Sequence, residues 1–355
     1  MLLVLKVGAV ALLAIAGTAL SWREVAVIRH AHQLAIRNPG SISEAGFVKV
    51  GGVDQWVQIR GEDTLNPVML ILSGGPGMPY TALTPIFKSW ERDFTIVMWD
   101  RRGVGKTFAR LGEAGSGRIT FDALANEGIE LTGYLQHRLH KRTITLLGHS
   151  VGSVLGVLMA QRRPDLFSAY VGTDQIVDMA RNEALSYELL VQRVATGGDE
   201  HLKREVAAIG PPPYSDVNRW FDKQRLISAT DPVSKSFENT LMPMIMTAPG
   251  YSLQEVMAVG QGLKFSAASL LHEMMTLDVR TSGMDFKVPF VLIEAENDVL
   301  DPTPLALEYF RGVTAPAKQL VVLSGAGHNA VMMKPDVFLA ELVRVVRPLA
   351  DRMPH

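Results

Sequence analysis

One stretch restricts the fold of this chain more than any other: Thr143–Gly156, TITLLGHSVGSVLG. Its first residues, 143–147, are apolar or β-branched and read as a buried strand, and a helix opens at about Ser150–Ser153. Between them stands Gly148-His149-Ser150-Val151-Gly152, a Gly-x-Ser-x-Gly turn. A chain that reverses so sharply from strand into helix needs residues without Cβ atoms on both sides of the turn, and its central residue is held in a strained conformation. The turn lifts Ser150 Oγ above the strand end. It also leaves the Val151 amide free at a helix N-terminus, where a developing negative charge is stabilised. Alone, the pattern equally fits a Gly-rich turn with a surface serine. The rest of the chain has to supply an acid, a base and a second amide donor.

The other apolar runs set the fold class. Pro67–Leu72, Phe94–Trp99, Ala169–Thr173, Pro289–Ala295 and Gln319–Leu323 read as strands, with helical spacing between them and a last helix over about Pro335–Ala350. Such alternation predicts an α/β fold: a mostly parallel central sheet flanked by helices on both faces. Phe47–Val50 and Val53–Arg60, around Gly51-Gly52, predict a hairpin before it. Residues 176–283 lack clear strands and are too long for one crossover, so they read as an inserted helical cap. The predicted organisation is an apolar segment and connector over 1–42, core over 43–175, cap over 176–283, and core again over 284–355.

Composition excludes several functions. The chain has 355 residues, a formal net charge of −1 and no basic block, which argues against a nucleic-acid partner. It has no cysteine, so disulfides, thiolate metal sites and a Cys nucleophile are absent. His30/His32 and His137/His140 are the close histidine pairs, and neither sits in a ligand pattern. No metal and no cofactor are expected. The expected partner is a small-molecule or peptide substrate, and oligomeric state is left open.

Met1–Leu20 is apolar apart from Lys6. Three readings stand: a single N-terminal membrane anchor over 1–22, with Trp22 at the interface; a signal peptide cleaved after Ala14-Ile15-Ala16, which would export the protein; or a buried or interfacial helix. Arg23, Arg29 and Arg37 just downstream favour the anchor.

In a parallel sheet, functional groups gather at the carboxyl ends of strands. After 289–295 comes Glu296-Asn297-Asp298, and after 319–323 comes Gly325-Ala326-Gly327-His328-Asn329. Ser150, Asp298 and His328 thus form a candidate nucleophile, acid and base in a workable chain order. Glu294, Glu296 and Asp301 are rival acids beside Asp298, Asp174 is another after an earlier strand, and His149 rivals His328. The Ser73-Gly74-Gly75-Pro76-Gly77 loop offers the second oxyanion donor, which makes Gly75 and Val151 the candidate amide pair. A charged turn, Trp99-Asp100-Arg101-Arg102-Gly103-Val104-Gly105-Lys106-Thr107, reads as a structural pin between loops.

Together the Gly-Gly-Pro-Gly loop, the Trp-Asp-x-Arg-Gly-x-Gly-Lys-Thr turn and the Gly-x-Ser-x-Gly-Ser elbow resemble the α/β-hydrolase superfamily. Within it they are most similar to the proline iminopeptidase group of serine peptidases. The resemblance spans roughly 47–176 and 288–350 and implies a cofactor-free hydrolase with a helical cap. It also implies cap acids that bind a free N-terminal amine, for which Glu183, Glu188, Glu238, Glu255 and Glu273 are candidates. Ser73, Val151 and Arg101 depart from that group's usual His, Trp and Gln. The expectation is a serine hydrolase of aminopeptidase type, with a carboxylesterase as alternative and a non-catalytic binding module as the alternative of another class.

Overall fold

The computed structural model describes residues 2–351, of which residues 2–16 are described by backbone alone. Eight strands form one sheet in the order β1-β2-β4-β3-β5-β6-β7-β8. β1 (Ile42–Val50) and β2 (Val53–Gly61) make an antiparallel hairpin. Its two-residue turn puts Gly51 and Gly52 at φ 57° and 79°, the left-handed geometry that matches strand twist. β2 pairs antiparallel with β4 (Thr95–Asp100). The remaining pairs, through β3 (Val68–Leu72), β5 (Ile144–His149), β6 (Phe167–Thr173), β7 (Phe290–Ala295) and β8 (Lys318–Leu323), are parallel. β3 through β7 are buried along their whole length, which explains their predominantly apolar sequences.

The strand order locates the functional edge. β4 lies on one side of β3 and β5 on the other, so successive connections leave in opposite directions. A crevice opens outside the carboxyl ends of β3 and β5 at such a switch point. The Gly74-Gly75 loop leaves β3 there, and Ser150 leaves β5.

The helices include α1 (Leu2–Leu34), α2 (Gly105–Ser116), α3 (Phe121–Leu139) and α4 (Val151–Arg162), then α5 (Met179–Gly197), α6 (Glu200–Ile209), α7 (Val217–Ala229), α8 (Pro232–Met246) and α9 (Leu253–Met275) between β6 and β7, and further helical segments follow β8 from Ala330 to Asp351. α10 (Thr303–Gly312) joins β7 to β8. The segment Tyr80–Arg92, expected to be α-helical, is a run of 3₁₀ turns with a break at Leu83 and Pro85 inside it.

The membrane expectation for 1–22 is corrected. Among the described residues no helix is long and apolar enough to cross a membrane. The described part of α1 carries Arg23, Glu24, Arg29, His30 and His32, and it docks on the domain. Arg23 is buried and donates to the carbonyls of Met246 (3.0 Å) and Tyr251 (2.6 Å), while Arg60 donates to the Leu34 carbonyl at the far end. The proposed cleavage signal at Ala14-Ile15-Ala16 concerns side chains that lie outside the described residues.

Candidate active site

Ser150 stands at φ 51°, ψ −122°, directly before the first residue of α4. A non-glycine residue held there stores strain of about 1–3 kcal/mol. The surroundings enforce it. A Cβ on Gly152 would lie 1.9 Å from the Leu72 carbonyl oxygen, and one on Gly148 would lie 2.6 Å from the Gly152 oxygen. Neither glycine has positive φ. They are needed because backbone passes against backbone, and the dihedral demand falls on Ser150 alone.

The two candidate amides also meet this edge. Gly75 (φ 120°) and Val151 line the same cavity as Ser150, and among the described residues neither amide donates a hydrogen bond to the protein. The loop that carries Gly75 is pinned from below. Arg101, buried in the charged turn, donates to the Ser73 carbonyl (3.0 Å) and hydroxyl (2.7 Å). Burial lowers the Arg101 guanidinium to about 10. Asp100 in the same turn accepts from Thr81, Tyr251 and the Lys106 amide.

His328 Nδ1 sits 2.8 Å from Asp298 Oδ2. Asp298 uses its other oxygen to accept from the Leu300 and Asp301 amides, at 2.8 and 3.0 Å, which folds the loop around it. The rivals take different places. Glu294 faces inward from β7, and Glu296 is exposed and accepts from the Gly325 amide at 2.8 Å. Asp174 Oδ2 lies 3.6 Å from His328 Nδ1, and Asp301 Oδ2 lies 3.9 Å away. Burial works against the charged imidazole, but Asp298 and Asp174 outweigh it and push His328 up to about 10. Among the described residues no hydrogen bond joins His328 to Ser150.

Behind these groups runs a chain of contacts that sequence reasoning missed. Tyr80 Oη meets His149 Nδ1 at 2.5 Å, His149 Nε2 meets Asp174 Oδ2 at 2.8 Å, and the same oxygen accepts from the Asn329 amide at 2.8 Å. Asp174 and Asn329 both have positive φ, 46° and 70°. Asp174 Oδ2 thus serves both His149 and the Asn329 amide, and through it the Ser150 turn is tied to the His328 loop. A carboxylate directly after β6 was a sequence signal for Asp174; nothing in the sequence marked Tyr80.

Comparison with known proteins gives this arrangement a family. Residues 67–335 match the family described as the alpha/beta hydrolase fold. The chain belongs to that family. A Bacillus subtilis protein named "Probable aminopeptidase YbaC" is 28% identical over 311 residues, covering 86% of this chain and 97% of its own length. A Rhizobium rhizogenes protein named "Putative carbamate hydrolase RutD" is 28% identical over 295 residues, covering 83% of this chain and 98% of its own. The crystal structure of a proline iminopeptidase-related protein, TTHA1809 of Thermus thermophilus, superposes with a TM-score of 0.58 at 19% identity, over 88% of this chain and 100% of that one. The protein is thus an α/β hydrolase, an enzyme of the hydrolase type whose fold is shared with an iminopeptidase-related structure.

In this α/β hydrolase the cavity over Ser150 is about 320 Å³ and is lined from the sheet edge by Tyr80, His149, Asp301 and His328 and from the α5–α8 helices by Glu183 and Trp220, among others. The acids expected to meet an amine are mostly engaged elsewhere. Glu183 accepts from Trp220 Nε1 (3.2 Å) and from the fully buried Lys223 (2.5 Å). Glu255 pairs with Lys106 at 2.6 Å and closes the α9 capping box, and Glu273 accepts from the Phe121 amide. Glu188 is exposed and does not line the cavity; Glu238 lines its rim and accepts from Ser228.

Proposed function

We propose that this enzyme hydrolyses acyl bonds through a seryl acyl-enzyme at Ser150, with His328 as base and then acid and Asp298 as the group that orients it. The observation that carries the proposal is the convergence of the strained Ser150, the His328–Asp298 pair and the undonated amides of Gly75 and Val151 on one small cavity. Ser150 Oγ attacks the carbonyl carbon while His328 Nε2 takes its proton, since a serine hydroxyl is a weak nucleophile unaided. The Nδ1 bond to Asp298 leaves Nε2 facing the reaction and stabilises the imidazolium. The oxyanion is held by the amides of Gly75 and Val151. His328 returns the proton to the leaving group, and water repeats the sequence to release the acid. Substrate binding has to close the gap between Ser150 and His328, as it does in other sites whose hydrogen bonds are loose before substrate arrives.

For substrate, we infer an aminopeptidase that cleaves a residue bearing a free amine, with N-terminal proline the first to test. The loop and turn motifs and the YbaC relative support this reading. In the same reading, the helices α5–α9 are the cap that limits access. A second reading is a carboxylesterase acting on small or lipid-like esters, and the RutD relative, named a carbamate hydrolase, supports non-peptide acyl chemistry of this kind. Prolyl arylamide, its N-acetylated form and a p-nitrophenyl ester distinguish the two. Cleavage of the free prolyl arylamide, lost in Ser150→Ala, is expected; turnover of the ester alone would remove the aminopeptidase reading.

A further inference from the structure

Among the described residues, Asp174, Glu294 and Asp301 each keep one buried carboxylate oxygen without a hydrogen-bond partner, and of these three Asp301 lines the cavity. It is 3% exposed, its Oδ1 accepts from Asn182 Nδ2 at 3.1 Å, and its Oδ2 has no hydrogen-bond partner. That free oxygen belongs to a residue lining the cavity, on the same loop as Asp298 and 3.9 Å from His328 Nδ1. The Ser150 hydroxyl is close enough to lower the Asp301 carboxyl, yet no formed bond reaches Oδ2. A buried carboxylate oxygen left without a donor costs free energy unless a ligand supplies one.

The rest of the cavity does not supply it. Lys223, fully buried behind the lining, is committed to Glu183, and the exposed Arg225, which does line the cavity, to Glu205 and Asp222. Burial, reinforced by the charges of Asp298 and Asp174, pushes Asp301 up to about 7 against the pull of His328 and Ser150: three carboxylates crowd around one imidazolium, and that imidazolium donates its Nδ1 proton to Asp298.

We propose that Asp301 Oδ2 receives the protonated amine of the substrate, which makes Asp301, from the core loop, the group that selects for a free amine. The proposal rests on the aminopeptidase reading and deepens it. Covalent geometry supports the placement. In an aminoacyl group the amine nitrogen lies about 2.5 Å from the carbonyl carbon, two bonds away. The carbonyl carbon must sit against Ser150 Oγ to react, so the ammonium falls beside Ser150, on the side an adjacent carboxylate can reach. The acids of the α5–α9 segment that line the cavity are less suited: Glu183 has both oxygens engaged, and Glu238 is exposed at the rim.

The test uses the full-length enzyme and four substrates, the alanine benzyl ester and arylamide, each with a free and an N-acetylated amine. The wild type is expected to favour the free-amine member of each pair. Asp301→Asn is expected to lower kcat/KM for free-amine substrates about 10- to 100-fold, mainly through KM, the size of one charge-assisted hydrogen bond. Asp301 also helps to raise His328, so both enzymes are compared on the alkaline plateau of their pH profiles, where the variant should leave the N-acetyl ester within about threefold of wild type. Asp301→Ser, which removes the carboxylate without adding volume, replaces it if Asp301→Asn does not fold. Equal losses on free and blocked substrates would assign Asp301 to the support of His328 and overturn the proposal. An unchanged preference in the variant would overturn it too, while the aminopeptidase reading stood. A wild type that cuts both esters equally and neither arylamide would remove both.

Discussion

The strain at Ser150 can be measured by comparing two substitutions that both remove the hydroxyl. In Ser150→Ala a Cβ remains in the φ 51°, ψ −122° conformation, so the strain remains. In Ser150→Gly it is relieved. Relief is worth about 1–3 kcal/mol, and the added chain entropy of glycine offsets about 0.5–1 kcal/mol of it. Ser150→Gly should therefore be more stable than Ser150→Ala by about 1 kcal/mol, although glycine ordinarily destabilises. With an unfolding entropy of about 2.1 cal/mol/K per residue, a chain of this size gains about 1.3 °C in Tm per kcal/mol. Urea midpoints and calorimetry on both variants provide the assay, and activity should be lost in both. A Ser150→Gly variant equal to or less stable than Ser150→Ala would show that the turn is not strained and that the reasoning for its geometry is wrong.

Other consequences concern the same site. An imidazolium cannot accept the Ser150 proton, and the acids around His328 hold its pKa above the usual ~6.5. The acid limb of kcat/KM should therefore lie above neutrality. Asp174→Asn, which removes one negative charge 3.6 Å from Nδ1, should move that limb down by about one pH unit; an unmoved limb would exclude Asp174 from the electrostatics of His328. Gly152→Ala places a Cβ 1.9 Å from the Leu72 oxygen and should cost at least about 1–3 kcal/mol in urea unfolding, together with most of the activity. Wild-type stability in that variant would contradict the close approach of β3 and α4.

The parts of this molecule that were legible in the sequence are those governed by local pattern. Strands buried on both faces are mostly apolar, and β3 to β7 are, with their charged residues and His149 at or next to the carboxyl ends. The turn at Gly148–Gly152 announces itself because only glycine tolerates backbone against backbone. Contacts between distant residues were not legible. Arg23 read as a flanking charge on an apolar segment, but it is buried because two carbonyls beyond residue 245 accept from it. Tyr80, His149 and Asp174 form one chain of contacts across three connections, and no spacing encodes that. Asp298 and Asp301 could not be separated by order alone. The structure separates them because the Leu300 and Asp301 amides fold back on Asp298, which sets its second oxygen against His328 and leaves an Asp301 oxygen free.

Fluorophosphonate labelling with peptide mapping tests the central claim most directly, since it reports the reactive nucleophile without requiring the substrate. One adduct on the peptide containing Ser150 is predicted in the wild type, with labelling strongly slowed in His328→Ala and absent in Ser150→Ala. An adduct at another serine, or substrate hydrolysis persisting at wild-type rate in Ser150→Ala, would contradict it.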